Sequence, residues 1–265
     1  MLQDILSALS PSYPWKDYIS YFPTISSTND RLKLLAKQGA PHGTVVLAGH
    51  QSAGHGRMGR SFHSPEGMGI YLSLLLRPDC IPGDLMHLTC AAAVAMCDAV
   101  EKAAGIRPGI KWTNDLVIGR RKLGGILTEL GFTPQGAVEY AIIGIGINCR
   151  QQETDFPDEI QKIACSLNMV CRAEVSPTRL AAAMLESLAQ MDAQLLTEKA
   201  VILDAYRSDC ITVGKAVSAV RGDSIRYGVA RDIDSDGALI VAFDDGTVEA
   251  VNAGEVSIRG MYGYI

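Results

Sequence analysis

The sequence predicts an α+β fold: a mixed β-sheet domain with helices over residues 1–210, followed by a small β domain over 211–265. Length is the first observation, since 265 residues suit one large domain plus a small one and can bury a full core. The second is the interleaving of strand-length and helix-length apolar runs up to Asp209. The third is the change of texture beyond it. There, five short β-like runs alternate with turn signals in about 50 residues, the pattern of a small barrel or sandwich.

Residues 1–20 hold one short helix and then Pro11, Pro14 and Trp15, too little for a helix-turn-helix module. Ser27-Thr-Asn-Asp30 reads as a capping box opening a helix that turns Leu32, Leu35 and Ala36 inward. Thr44–Ala48 is a strand. Residues 49–66 combine Gly, Ser, His and Arg without periodicity and form a long loop; loops of that length inside a compact domain are usually functional. Gly69–Leu76 is a buried strand, and Leu85–Ala103 a central apolar helix. Ile110–Trp112, Leu116–Ile118 and Leu123–Leu130 are strands, the last two joined by a tight Gly119-Arg120-Arg121 connection, and Tyr140–Ile147 is another buried strand. Pro157–Asn168 and Pro177–Leu196 read as helices, the second capped by Ser176 with Pro177 at its first position. The small domain's strands are expected at Val217–Val220, Ile225–Arg231, Ala238–Phe243, Thr247–Val251 and Val256–Arg259. Its turns are Ser235-Asp-Gly237 and Asp244-Asp-Gly246.

Composition excludes several classes. Hydrophobic residues at 48% and charged residues at 20% are ordinary for a soluble globular protein. A net charge of −5 gives no broad basic field, so any phosphate chemistry needs a local cation cluster. Seven cysteines form no CxxC and no zinc spacing with His; they read as buried free thiols in a reducing cytosol. MLQDILSALS lacks the basic and long apolar regions of a signal peptide, and the apolar run Ile70–Leu76 is too short to span a membrane. The expected location is cytoplasmic.

Two blocks carry chemistry. GHGRMGR, Gly54–Arg60, formally matches a dinucleotide GxGxxG, but the following Ser61-Phe-His-Ser-Pro-Glu-Gly67 cannot open the helix that the fingerprint requires. Its glycines let backbone amides approach a ligand, and Arg57 and Arg60 are placed to clamp an anion; a solvated loop with incidental arginines fits this loop equally well. The second block, Lys111–Glu129, brings Lys111 and Lys122 to the ends of short strands expected to be adjacent. Gly124 and Gly125 inside a strand mark a close approach to the backbone. Asn114-Asp115 is a plain turn, a metal-holding pair or a device orienting an amine. Either lysine alone reads as a solvated strand end; the two together, flanking Asn114 and Asp115, point to a site.

SSTN at Ser26–Asn29, HQSAGHGRMGR at His50–Arg60, KWTND at Lys111–Asp115, RKLGGILTE at Arg121–Glu129 and GIGIN at Gly144–Asn148 occur in that order. Together they resemble the catalytic signature of biotin protein ligases, and the β region after 210 resembles that family's SH3-like C-terminal domain. The resemblance implies activation of biotin by ATP and Mg²⁺ to biotinyl-5′-adenylate, then transfer to a lysine of a biotin carboxyl carrier domain. That carrier belongs to acetyl-CoA carboxylase or another biotin-dependent enzyme. By position, the resemblance implies that Ser27, Thr28, Asn29, Gln51, His55, Gly56, Arg57 and Lys122 bind biotin. It implies ATP contacts from Arg57, Arg60, Phe62, Lys111, Asn114 and Asn148, and catalytic roles for Arg57, Lys111, Lys122 and Asp115. The metal ligands stay unassigned.

Three positions depart from the family pattern. His55 replaces an arginine and offers one donor rather than a fork. Thr113 replaces a proline, which is expected to loosen its turn. Phe62 replaces a tryptophan but can still stack. SSTN is reached by residue 29, so the resemblance is to the monofunctional class, with no DNA-binding repressor role. Pairing of two subunits through exposed sheet edges stays open. Two alternatives remain: a lipoate ligase-like acyltransferase on the same fold, and a biotin sensor without chemistry.

Overall fold

The computed structural model describes residues 1–252 and, as backbone, 257–260. The large domain begins with α1 (Leu2–Ala8), β1 (Ile19–Ile25), α2 (Thr28–Lys37), β2 (Thr44–Gln51) and β3 (Gly69–Leu76). It continues with α3 (Leu88–Ala104), β4 (Gly109–Lys111), β5 (Asp115–Ile118), β6 (Arg121–Phe132) and β7 (Val138–Asn148). Short helices α4 (Asp158–Gln161) and α5 (Leu167–Val170) lead to the long α6 (Pro177–Gln194) and to α7 (Lys199–Asp209). The small domain holds β8 (Ala216–Arg221), β9 (Ser224–Ile233), β10 (Leu239–Phe243), β11 (Val248–Val251) and β12 (Ser257–Gly260). Val256, the expected start of the last strand, lies outside the described residues.

Seven strands form one sheet in the order β1-β2-β3-β7-β6-β5-β4, parallel only between β1 and β2. The period of two in β3 and β7 sends alternate residues to opposite faces. Leu72, Leu74, Leu76, Ile143, Ile145 and Ile147 join the main core with α1, α3 and α6. Val46, Leu75 and Ile142 face the other way, where Leu32 and Ala36 of α2 cover them. Ser27 caps α2 by accepting the Asp30 N–H at 3.4 Å. The capping box is one-sided, because the Asp30 carboxylate bonds His55 and Lys33 instead.

Four features differ from expectation. β1 and α7 carry too little periodicity to be read. β1 has an irregular burial pattern with Pro23 inside it, and α7 buries only Ile202, Leu203 and Tyr206. The expected helix Pro157–Asn168 is broken, because residues 163–165 leave it to pair with β6. Lys122 N–H donates to Ile163 O at 2.7 Å, and Lys122 O accepts the Cys165 N–H at 2.8 Å. Finally, β4 and β6 are not neighbours, since β5 lies between them.

The small domain is an antiparallel sheet in the order β11-β10-β9-β8-β12. It docks on the large one through Trp112, whose backbone N–H donates to Thr212 Oγ1 at 2.9 Å and whose indole N–H donates to Gly237 O at 3.0 Å. The stretch Pro82–Ala104, which contains α3, is long and apolar enough to cross a membrane, but it is mostly buried as a core helix.

Candidate active site

On the α2 side of the sheet the strand register makes a bare floor. Gly146 of β7 pairs with Gly125 of β6 and Tyr71 of β3, and Gly144 pairs with Leu127 and Ser73. A Cβ on Gly144 would lie 2.1 Å from Asn29 Oδ1, and one on Gly146 would lie 2.3 Å from the Phe62 ring. Both glycines are therefore required by groups lying directly on the strand. A cavity of about 530 Å³ stands on this floor. Its walls are the first turn of α2, the 54–62 loop, the Lys111–Asp115 turn and the 156–164 segment.

The structure gathers every residue given a binding or catalytic role from the sequence onto this cavity: Ser27, Thr28, Asn29, Gln51, His55, Gly56, Arg57, Arg60, Phe62, Lys111, Asn114, Asp115, Lys122 and Asn148 all line it. Sequence reasoning missed the floor glycines 144 and 146 as lining residues, although GIGIN contains them. It also missed the apolar wall of Phe156, Ile160 and Ile163, which carries no motif.

One end is a polar chain. The Thr28 N–H and hydroxyl both donate to Gln51 Oε1, at 2.9 and 3.0 Å, and Gln51 Nε2 donates to Ser64 Oγ at 3.1 Å. Asn29 Nδ2 donates to Glu129 Oε2 at 2.8 Å, outside the cavity lining. These groups sit at the N-terminus of α2, where the helix dipole and unpaired N–H groups favour acceptors.

The other end is charged. Lys122 Nζ pairs with Asp115 Oδ1 at 2.5 Å, both groups being half-buried. Arg57 donates to Asn114 Oδ1 at 2.9 Å, and Asn114 Nδ2 donates to Ile126 O at 2.8 Å. Burial draws the Arg57 guanidinium below its ordinary value, opposed by the charge of Asp115. Asn148 serves the wall: Nδ2 donates to Cys165 O and Oδ1 accepts from Gln151 Nε2, each at 3.0 Å.

The loop is a small hairpin. Phe62 N–H donates to Gly54 O at 2.8 Å and Gly56 N–H to Arg60 O at 2.7 Å; its tip turns at Met58 and Gly59, both with positive φ. It is tied to the turn by Arg57 and to α2 by His55, whose Nε2 lies 2.8 Å from Asp30 Oδ2. Burial pushes the Asp30 carboxyl up, but His55 and Lys33 more than offset it and hold it below its usual value. The Phe62 ring lies edge-on to Tyr71, centroids 6.4 Å apart. The Thr113 turn is not loose: the buried Tyr206 hydroxyl donates to Thr113 O at 2.9 Å, beside the Trp112 bonds to the small domain.

Residues 21–148 match the model of the biotin/lipoate A/B protein ligase family, and residues 212–259 that of the biotin protein ligase C-terminal domain. The bifunctional ligase/repressor BirA of Bacillus subtilis is 36% identical over 237 residues, 89% of this chain and 73% of that protein. The biotin–[acetyl-CoA-carboxylase] ligase of Mycobacterium tuberculosis is 33% identical over 236 residues, 87% and 85% of the two. The chain belongs to the biotin protein ligase family. The fold agrees: a biotin protein ligase from Aquifex aeolicus, solved with biotin and ATP, superposes with a TM-score of 0.78 at 25% identity. That match covers 91% of this chain and 98% of the other. Within the family's architecture, the mixed sheet is the catalytic domain and β8–β12 the SH3-like C-terminal domain.

Proposed function

We propose that this chain is an ATP-dependent biotin ligase whose cavity forms biotinyl-5′-adenylate and passes the biotin to a lysine of a carboxyl carrier domain. The observation that carries the reading is the division of one cavity into a neutral polar end and a charged end. A neutral cyclic urea needs paired donors and acceptors, which Ser27 and Thr28 offer at the α2 N-terminus, held by Asn29 and Gln51. A carboxylate and a triphosphate need cations, which Arg57, Arg60, Lys111 and Lys122 offer at the other end. The apolar wall of Ile160 and Ile163 offers a hydrophobic surface to the bound substrates.

In the first step a biotin carboxylate oxygen bonds to the α-phosphorus of ATP as the bond to the bridging oxygen breaks and pyrophosphate leaves. Two anions must meet, so preorganised cations carry the catalysis. Lys122 bridges the carboxylate and the α-phosphate, Lys111 and Arg57 hold phosphate oxygens, Phe62 offers a face to adenine, and Asn114 and Asn148 line the nucleotide side. His55 and Gly56 hold the loop over the biotin. In the second step a carrier amine attacks the acyl carbon, AMP leaves with the bonding electrons, and Asp115 orients the amine. Among the described residues Asp115 is the only carboxylate lining the cavity, and one carboxylate plus phosphate oxygens is a fitting donor set for Mg²⁺. When bound, Mg²⁺ offsets phosphate charge.

The acidic net charge supports a protein partner rather than operator DNA. The free cysteines suit a reducing, cytoplasmic location. The end of α7 at Asp209 supports a domain boundary near residue 210. The test is the mass of a carrier domain incubated with the protein, biotin, ATP and Mg²⁺. A gain of one biotinyl group is expected; no gain, or a gain with lipoate in place of biotin, refutes the reading.

A further inference from the structure

We propose that Ser73 and Glu129, which lie behind the cavity wall, are positioning residues that set the hydrogen-bonding polarity of the biotin end through Thr28 and Asn29. The inference rests on the assignment of that end to the biotin ring. Neither residue lines the cavity, and Ser73 is fully buried on the face of β3 beneath α2. Its Oγ lies 2.5 Å from Asn29 Oδ1 and 2.7 Å from Thr28 Oγ1, yet it has one proton to give.

Glu129 decides where that proton goes. Asn29 Nδ2 donates to Glu129 Oε2 at 2.8 Å and to Leu127 O at 3.4 Å, both acceptors. Lys33 Nζ holds the other Glu129 oxygen at 2.8 Å. The Asn29 amide therefore faces Glu129 with its NH₂ and Ser73 with its oxygen. Ser73 must donate to that oxygen, so its lone pairs face Thr28. The Thr28 proton is then directed into the wall, to Ser73 or to Gln51 Oε1 at 3.0 Å. Thr28 is left as an acceptor toward a ligand N–H. Ser27 Oγ accepts from the Asp30 N–H and keeps its proton for a ligand carbonyl. A donor and an acceptor side by side are what the edge of a cyclic urea requires. The absence of a side chain at Gly144 is what lets Asn29 sit there.

Ser73→Ala removes the relay. Glu129→Leu removes the acceptor that fixes the Asn29 amide. The amide is then held only by the 3.4 Å bond to Leu127 O, its oxygen no longer claims the Ser73 proton, and when that proton passes to Thr28, Thr28 loses a lone pair to the wall. For both variants the expected result is a rise of about tenfold in biotin KM and Kd. The ATP KM and kcat stay within about twofold, the split of a group acting on ground-state binding of one substrate. Thr128→Val is the control: Thr128 sits on β6 next to Glu129 but bonds Thr89 at 2.6 Å on the opposite face, so its loss lowers stability and leaves biotin KM unchanged. If Ser73→Ala fails to fold, Glu129→Leu, at a partly exposed position, carries the test alone. Wild-type pyrophosphate release that depends on biotin, together with an unchanged biotin KM in the folded variants, overturns this inference and leaves the assigned function standing. A parallel rise in ATP KM, or a matching effect of Thr128→Val, overturns it too. Wild-type protein that releases no pyrophosphate with biotin overturns the reading of the site itself.

Discussion

Lys122→Ala separates chemistry from folding. The Lys122 side chain lies over Gly125, its Nζ 3.2 Å from where a Cβ would be, and pairs with Asp115 at the charged end of the cavity. The two side chains are 29% and 19% exposed, so solvent screens the pair, and the nearby Arg57 also balances the Asp115 charge. Losing the lysine should cost stability about 1 kcal/mol or less. For a chain of this size that lowers Tm by roughly 2–4 °C. The transition state is another matter. Negative charge gathers between the biotin carboxylate and the α-phosphate, where a preorganised cation is worth about 2–4 kcal/mol. Biotin-dependent pyrophosphate release should therefore fall by roughly two to three decades. Lys122→Met, which keeps most of the hydrocarbon stem, should lose as much activity with a smaller change in Tm. The assay is single-turnover pyrophosphate release beside thermal unfolding of the same samples. A folded Lys122→Ala protein within about tenfold of wild type would refute the assignment.

Gly144→Ala would drive a methyl into Asn29, and Gly146→Ala would drive one into the Phe62 ring. Each should destabilise by about 1–3 kcal/mol, and titration calorimetry should show the first weakening biotin and the second weakening the nucleotide; intact affinity in both would contradict the floor described above. Trypsin should cut at Arg57 or Arg60, on either side of the hairpin tip, in the free protein and far more slowly with biotin plus ATP, because closure must shield a hydrolysable adenylate while still admitting substrate. Equal rates with and without ligands would count against a ligand-ordered loop. His42, bonded to Asp192 at 2.9 Å, has its imidazole raised above the ordinary value by that carboxylate. The folded state binds this proton more tightly than the unfolded chain, so the stabilisation is complete below the ordinary imidazole value and fades as pH rises through the raised one. The Tm gap between wild type and Asp192→Asn should thus be wider near about pH 6 than near about pH 9; a gap independent of pH would exclude this linkage.

Much of this protein is legible without coordinates, because local physics dictates it. The Ser27 cap, the buried apolar strands Gly69–Leu76 and Tyr140–Ile147, and the Ser176-Pro177 helix start each depend on neighbours in sequence. The polar and cationic side chains of the site could be named because their residue types and order constrain the chemistry. β1 was invisible because its pattern is irregular, and the break in the Pro157–Asn168 helix because its cause is a partner strand. Lys122 offers its backbone N–H and C=O there, and a chain running past satisfies both at less cost than one more helical turn.

The sequence alone determined which groups are available: two lysines and two arginines, a helix opening on Ser27, and glycines at 144 and 146. Tertiary structure decided which of them meet. The order β3-β7-β6 sets Gly146 against Gly125 and Gly144 against Ser73 and Leu127, clearing the floor on which Asn29 and Phe62 rest. It also carries the Asn29 amide to Glu129, a hundred residues away, and ties Trp112 to the small domain. Register between distant strands is a long-range property, fixed by which faces bury together, and no local pattern encodes it.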